Sequence, residues 1–243
     1  MTRLVRDVGV VLRTYRLGEA DRIVVLLTRG HGKVRAVGKG VRKTRSKFGA
    51  RLEPTGHVAV QLYEGRELDI VTQAETVDHF RVIREDLDRL TRASAMLEAV
   101  DQLAPDREPN PALYEMLVGA LRALATRDSP LVAPAFFCKL LALEGVRPVV
   151  DLCVECGADG PLTVFDLDAG GTCCARCASS GPKVITLSAA ALALLQQILG
   201  GRLGAALNEP VSAATHEVDH LATRALEYHL ERRLRSVTLL DRA

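Results

Sequence analysis

Tryptophan is absent from the 243 residues, and phenylalanine and tyrosine together number nine. A surface that held its ligand chiefly by aromatic stacking would have few side chains to work with. No apolar run approaches the roughly 18 residues that a membrane span needs. The opening stretch, MTRLVRDVGVVLRTYR, contains no uninterrupted apolar core of the kind a signal peptide requires. A cytoplasmic location with no membrane contact is therefore expected. Internal repeats and low-complexity segments are also missing. With 48% apolar and 26% charged residues, the composition is that of a folded globular chain, long enough for one large domain or two small ones.

The most informative absence is local. Between Arg22 and Leu52 there is no acidic residue, yet ten Lys or Arg stand there, at 22, 29, 33, 35, 39, 42, 43, 45, 47 and 51. The whole chain is nearly balanced, with 32 basic against 30 acidic residues, so everything outside the window has 22 against 30 and a net charge of −8. The window lies in a β-rich region. Short Val- and Ile-rich runs at 9–15, 22–28, 33–39, 57–63 and 68–75 are separated by turn residues, and Val58, Val60 and Leu62 alternate with Ala59, Gln61 and Tyr63. Five short strands without a long helix among the first three suggest an OB-type barrel. A cationic barrel face is a common way to hold single-stranded nucleic acid, because Lys and Arg neutralise phosphates and release counterions. Tyr15, Phe48 and Tyr63 are the only aromatics before Phe80. Phosphate contact should therefore outweigh stacking, and sequence preference should be weak.

After His79 the apolar period becomes helical. Helices are expected at 82–105, at 112–126 behind Pro111, at 129–145 before Gly145 and Pro148, at 188–200 with Ser188 as N-cap, and at 211–236. The expected architecture is α+β: an OB-fold β-barrel over residues 1–80, then a helical domain over 81–243 interrupted by a Gly- and Cys-rich insert at 151–182.

The insert holds five of the six cysteines. Cys153 and Cys156 form one CxxC turn, Cys174 and Cys177 a second, with seventeen residues between them. Two such turns at that separation are a signature of a tetrahedral Zn²⁺ site of the zinc-ribbon type, structural because four thiolates leave no position for water. The stretch 163–168 would be the strand joining the knuckles. Cys173 competes with Cys174, since Cys173 and Cys177 would make a CxxxC pair; the two-residue spacing favours Cys174. The competing reading of the whole insert is a redox dithiol or a set of buried thiols. Cys138, beside Phe136 and Phe137, reads as a buried core thiol.

His216, Glu217 and His220 fit the H-E-x-x-H pattern of zinc peptidases. Against a peptidase, the only carboxylates downstream of His220 are Glu227, Glu231 and Asp241, and the apolar stripe of Val218, Leu221, Ala222, Ala225 and Tyr228 leaves the histidines beside it, at the surface.

The stretch GVVLRTYRLGEADRIVVLLTRGHGKVRAVGKGVRKTRSKFGARLEP resembles the N-terminal barrel of the RecO family of bacterial recombination mediators. The resemblance continues through FFCKLLALEGVRPVVDLCVECG, the CARC knuckle and YHLERRLRS, and so covers the chain nearly end to end in the same order. It implies an OB-fold and a helical domain with a zinc module, binding to single- and double-stranded DNA, and annealing of complementary strands. It further implies work with RecR to load RecA on strands covered by SSB, recruitment through the acidic, apolar SSB C-terminal tail, and a cytoplasmic, nucleoid-associated location. Carried over by position, the DNA-contacting candidates are Lys33, Arg35, Lys39, Arg42, Lys43, Arg45 and Lys47. Annealing requires no nucleophile or base, so a binding and assembly factor is expected rather than an enzyme. An RNA-binding barrel is the alternative that strands and cations alone leave open. For the SSB tail, Leu226, Leu230 and Leu234, recurring every four residues beside Arg224, Arg232, Arg233 and Arg235, are the candidate apolar and cationic pocket; the competing reading places the leucines in the core.

Overall fold

The computed structural model describes residues 4–236. Five strands come first: β1 (Leu4–Leu17), β2 (Asp21–Thr28), β3 (Gly32–Gly38), β4 (His57–Tyr63) and β5 (Asp69–Asp78). They close into a barrel in the order β1-β2-β3-β5-β4. All pairs are antiparallel except the closing seam, where Ala36 and Val37 of β3 pair in parallel with Asp69 and Ile70 of β5. Alternation does its expected work in β4: Val58, Val60 and Leu62 face the barrel core, which Val11, Val24, Leu26, Val34 and Val71 complete. A register shift between Val11 and Arg13 interrupts the β1–β2 ladder, and Val10, Val11 and Leu12 are all buried there.

The helices follow: α1 (Arg81–Glu85), α2 (Leu87–Leu103), α3 (Pro111–Thr126) and α4 (Val132–Leu143). The single helix expected at 82–105 is thus two. Asp86 breaks it with extended backbone (φ −122°, ψ 120°) and caps α2, its carboxylate accepting from the Arg89 N–H. Next come a three-stranded sheet in the order β7-β6-β8, made of β6 (Leu162–Asp166), β7 (Gly171–Cys174) and β8 (Val184–Thr186), and the helices α5 (Ala189–Leu199), α6 (Leu203–Ala206) and α7 (Ala213–His229). Ser188 caps α5, accepting from the Ala191 N–H.

The described residues pack as two units, 4–126 with 234–236, and 127–233. In the first, α2 and α3 lie against the barrel. The His57 ring of β4 meets the Tyr114 hydroxyl of α3 at 2.7 Å and stacks on Phe80, which precedes α1 in the left-handed region (φ 44°). In the second, α4, α5 and α7 build an apolar core that takes in Phe137, Leu140, Leu195, Ile198, Leu221 and Leu226, and Cys138 is fully buried in it. Burial pushes the Cys138 thiol up to about 12.

The terminal helix is shorter than expected. It stops at His229, where the Glu231 N–H bonds to the Tyr228 carbonyl, the Arg232 N–H bonds to the Glu227 carbonyl, and Glu231 turns left-handed (φ 52°). This is a Schellman ending with Glu in the place glycine usually takes.

Candidate nucleic-acid interface and metal centre

Residues 39–56 connect β3 to β4 and carry the densest part of the acid-free window. Three apolar residues fix this loop. Val41, Phe48 and the fully buried Leu52 plug the barrel core, so the cations between them are turned outward. Gly38 makes the plug possible: a Cβ there would stand 2.5 Å from Val41 Cγ2. Polar contacts complete the anchoring. The Gly40 N–H donates to Asp21 Oδ1 at 2.7 Å with Gly40 left-handed (φ 67°), and the Arg42 N–H donates to the Ala20 carbonyl at 2.9 Å. The Arg42 guanidinium reaches the Glu19 carbonyl at 2.9 Å, and Lys47 Nζ reaches the Thr72 carbonyl at 3.0 Å. Carbonyl acceptors orient these cations without cancelling their charge.

The ten cations divide by partner. Arg22 pairs with Glu53 at 2.5 Å and Arg29 with Glu115 at 3.2 Å. Lys33 is only 14% exposed and is held by Asp101 and Asp106. Among the described residues, no carboxylate forms an ion pair with Arg35, Lys39, Arg42, Lys43, Arg45, Lys47 or Arg51, and all seven are exposed. Six of them are candidates named from the sequence. Lys33 stands apart from the group, and Arg51 joins it; its signal was membership of the same acid-free window. Of the three early aromatics, Phe48 is 1% exposed, which withdraws it from any ligand, while Tyr15 and Tyr63 keep 40% and 39%. The Arg13 guanidinium sits 4.8 Å from the Tyr15 ring centroid.

In the second unit, Cys153, Cys156, Cys174 and Cys177 converge, with their sulfurs all within 4.8 Å of one another. Among the described residues this is the one group of three or more His, Cys, Asp or Glu side chains that could hold a metal ion. The set fits a tetrahedral thiolate-bound ion. Metal–sulfur bonds of about 2.3 Å give sulfur–sulfur edges of about 3.8 Å, and Cys156 and Cys174 stand 3.9 Å apart. Backbone N–H groups of Cys174, then of Cys156 and Glu155, bring the Cys153 thiol down to about 6. Those of Cys177 and Arg176 lower Cys174 as well. Cys177 goes the other way, to about 12, because its Sγ hydrogen-bonds first to Cys156 and then to Cys174. A cation would displace that proton.

Cys173 and Cys174 are neighbours on β7, and the sulfur that converges with those of Cys153, Cys156 and Cys177 is that of Cys174. Cys173 is 2% exposed and clusters with Cys153, Leu162 and Cys174; burial, and then the neighbouring Cys153, raises its thiol to about 11.

The H-E-x-x-H residues are arranged differently. His216 and His220 are exposed, and Glu217 Oε2 accepts the Ser188 N–H at 2.7 Å, so this carboxylate supports the start of α5. In the leucine stripe Leu230 is half-buried. Leu226 and Leu234 are fully buried, and the helix ends at His229, ahead of the arginines at 232, 233 and 235; the Schellman ending is the physical reason the four-residue recurrence does not continue.

Among the described residues no helix is long and apolar enough to cross a membrane. Compared with known families, residues 1–80 match the model described as Recombination protein O N terminal, and residues 84–238 the one described as Recombination protein O C terminal.

Proposed function

Because the chain belongs to the RecO family, with a role in recombination and DNA repair, we propose that it is a DNA-binding mediator whose interface is the β3 and β3–β4 surface of the barrel. The observation that carries this reading is the set of exposed cations, Arg35 on β3 and Lys39, Arg42, Lys43, Arg45, Lys47 and Arg51 on a loop bolted to the barrel core, which form no ion pair with a carboxylate among the described residues. Such cations neutralise phosphates of either single- or double-stranded DNA and read little sequence. Neutralising two strands while leaving their bases free to pair is what annealing requires. No bond is made or broken, so the protein acts as a binding and assembly factor rather than an enzyme.

The quartet Cys153, Cys156, Cys174 and Cys177 would hold Zn²⁺, which supplies a structural cross-link between the knuckles. In the cell the expected partners are RecR, the SSB C-terminal tail and, through loading on SSB-covered strands, RecA, with a cytoplasmic, nucleoid-associated location. The decisive experiment is annealing of complementary strands precoated with SSB. The reading expects acceleration by wild type and its loss on reversal of Arg42, Lys43 and Arg45 to Glu. Equal rates with and without protein would overturn it. Binding RNA strands more tightly than DNA strands of one sequence would favour an RNA-binding barrel instead.

A further inference from the structure

Two cations of the barrel, Arg13 and Lys33, meet carboxylates on the segment that joins α2 to α3 or on the last turn before it. That segment, residues 104–110, runs directly along β3. Asp106 bridges Lys33 in parallel, and the Arg107 N–H donates to the Lys33 carbonyl at 2.8 Å. Gly32, left-handed at φ 68°, is required by this approach, since a Cβ there would overlap the Glu108 backbone. The Arg107 guanidinium reaches Asp69 at 2.8 Å and ties the far side of the strap to β5.

The strap and the end of α2 present acid to the outer face of β1 and β3. Asp101 Oδ2 lies 2.8 Å from Arg13 Nε. Lys33 Nζ donates to the Asp101 carbonyl at 2.8 Å, and stands 3.9 Å from Asp101 Oδ1 and 3.4 Å from Asp106 Oδ1. Asp101 is 5% exposed on its side chain, and its Oδ1 has no hydrogen-bond donor. Burying a carboxylate so incompletely satisfied is unfavourable by itself, and burial raises its pKa against the pull of Arg13, Lys33 and Arg35. On the sheet, Arg13 and Arg35 flank Val25 in register, so the masked cations border the unmasked ones.

We infer that this acidic strap is a built-in competitor for the phosphate backbone: Asp101 and Asp106 occupy Arg13 and Lys33 where phosphate oxygens would otherwise bind. The inference rests on the DNA-interface reading above and adds the regulation of that interface. With the strap in place a strand engages the unpaired set around the β3–β4 loop. Removing the acid extends the cationic path across β3 to β1. The device limits affinity, which suits a protein that must release strands once they have paired.

The test is a salt titration of the full chain with a fluorescein-labelled single strand of mixed sequence. Asp106→Asn is expected to bind several-fold more tightly and to steepen the salt slope by about 0.7, the value of one added single-strand phosphate contact. Asp101→Asn should do the same if its melting curve matches wild type; if it does not, Asp106, which is 60% exposed, carries the test. Glu108→Gln removes an acid of the same strap that forms no ion pair among the described residues, and sets the background effect of lost charge. In a Lys33→Gln background the Asp106→Asn gain should vanish. A slope for Asp106→Asn equal to that of Glu108→Gln, or a gain that survives Lys33→Gln, overturns the strap inference alone. Wild type that fails to bind the strand overturns the interface reading and the strap with it.

Discussion

The β3–β4 loop and the cysteine insert are both poor in regular structure, yet they are held in opposite ways. The loop is fixed by apolar plugs, Val41, Phe48 and Leu52, sunk into a barrel core that exists without it. Its charged groups are left over, aimed outward and short of counter-charge. The insert has almost no core of its own beyond Leu162, Cys173 and their neighbours, and its reactive groups converge on one another. In the loop the apolar residues do the holding and the polar ones are free for a ligand. In the insert the polar residues do the holding. Unneutralised charge on a rigid frame points to binding, while a closed ring of thiols points to structure.

That contrast can be broken most severely at the insert. Cys174→Ser is expected to abolish metal binding in anaerobically purified protein and to unfold the segment, whereas Cys173→Ser should keep a full metal complement by elemental analysis. Apparent binding energies of roughly 10–16 kcal/mol in zinc-finger peptides set the upper scale of the loss. Retention of metal by the Cys174 variant, or its loss from the Cys173 variant, would move the ligand to Cys173.

Next in size is the loop. Reversing Arg42, Lys43 and Arg45 to Glu should flatten the single-strand salt slope by roughly 2, at about 0.7 per contact, with metal content and melting temperature unchanged. A change in metal content would show that the two regions are not separable.

A smaller effect belongs to His57. Burial, and then Arg122, lowers its pKa below the ordinary 6.5, against Asp78 and Glu115. The unfolded chain takes up a proton near 6.5 that the folded chain refuses until lower pH. Stability from this group is therefore present above 6.5 and is lost as pH falls through it toward the folded-state value. Urea midpoints measured on either side of that pH should fall less on acidification for His57→Gln than for wild type.

The smallest effect is expected from Glu217→Gln. It weakens one charge-assisted bond to the Ser188 N–H, costing about 0.5–1.5 kcal/mol, and no peptidase activity should be there to lose. Proteolysis that disappears with this substitution would restore the H-E-x-x-H reading.

Much of this was legible in the sequence where the signal is local. Val58, Val60 and Leu62 announce a half-buried strand, paired CxxC turns announce a thiolate site, and Ser188 announces a helix start. What depends on distant partners was not. Lys33 belongs to the basic run by sequence, but its acids lie 68 residues and more along the chain. Val41 and Phe48 sit among cations and read as parts of a polar loop, because nothing local says that the barrel needs a plug. The β3–β5 seam rests on two residue pairs. The leucine recurrence at the C-terminal end misled because Glu231 accepts a left-handed backbone without the glycine that would have flagged the stop.

The central claim, that an unpaired cationic loop on a closed barrel is a phosphate-binding surface, is tested most directly by the salt dependence of single-strand affinity in the wild-type protein. Six or so contacts at about 0.7 each give a slope of roughly −4 in log affinity against log salt. A slope near zero, with binding intact, would contradict it.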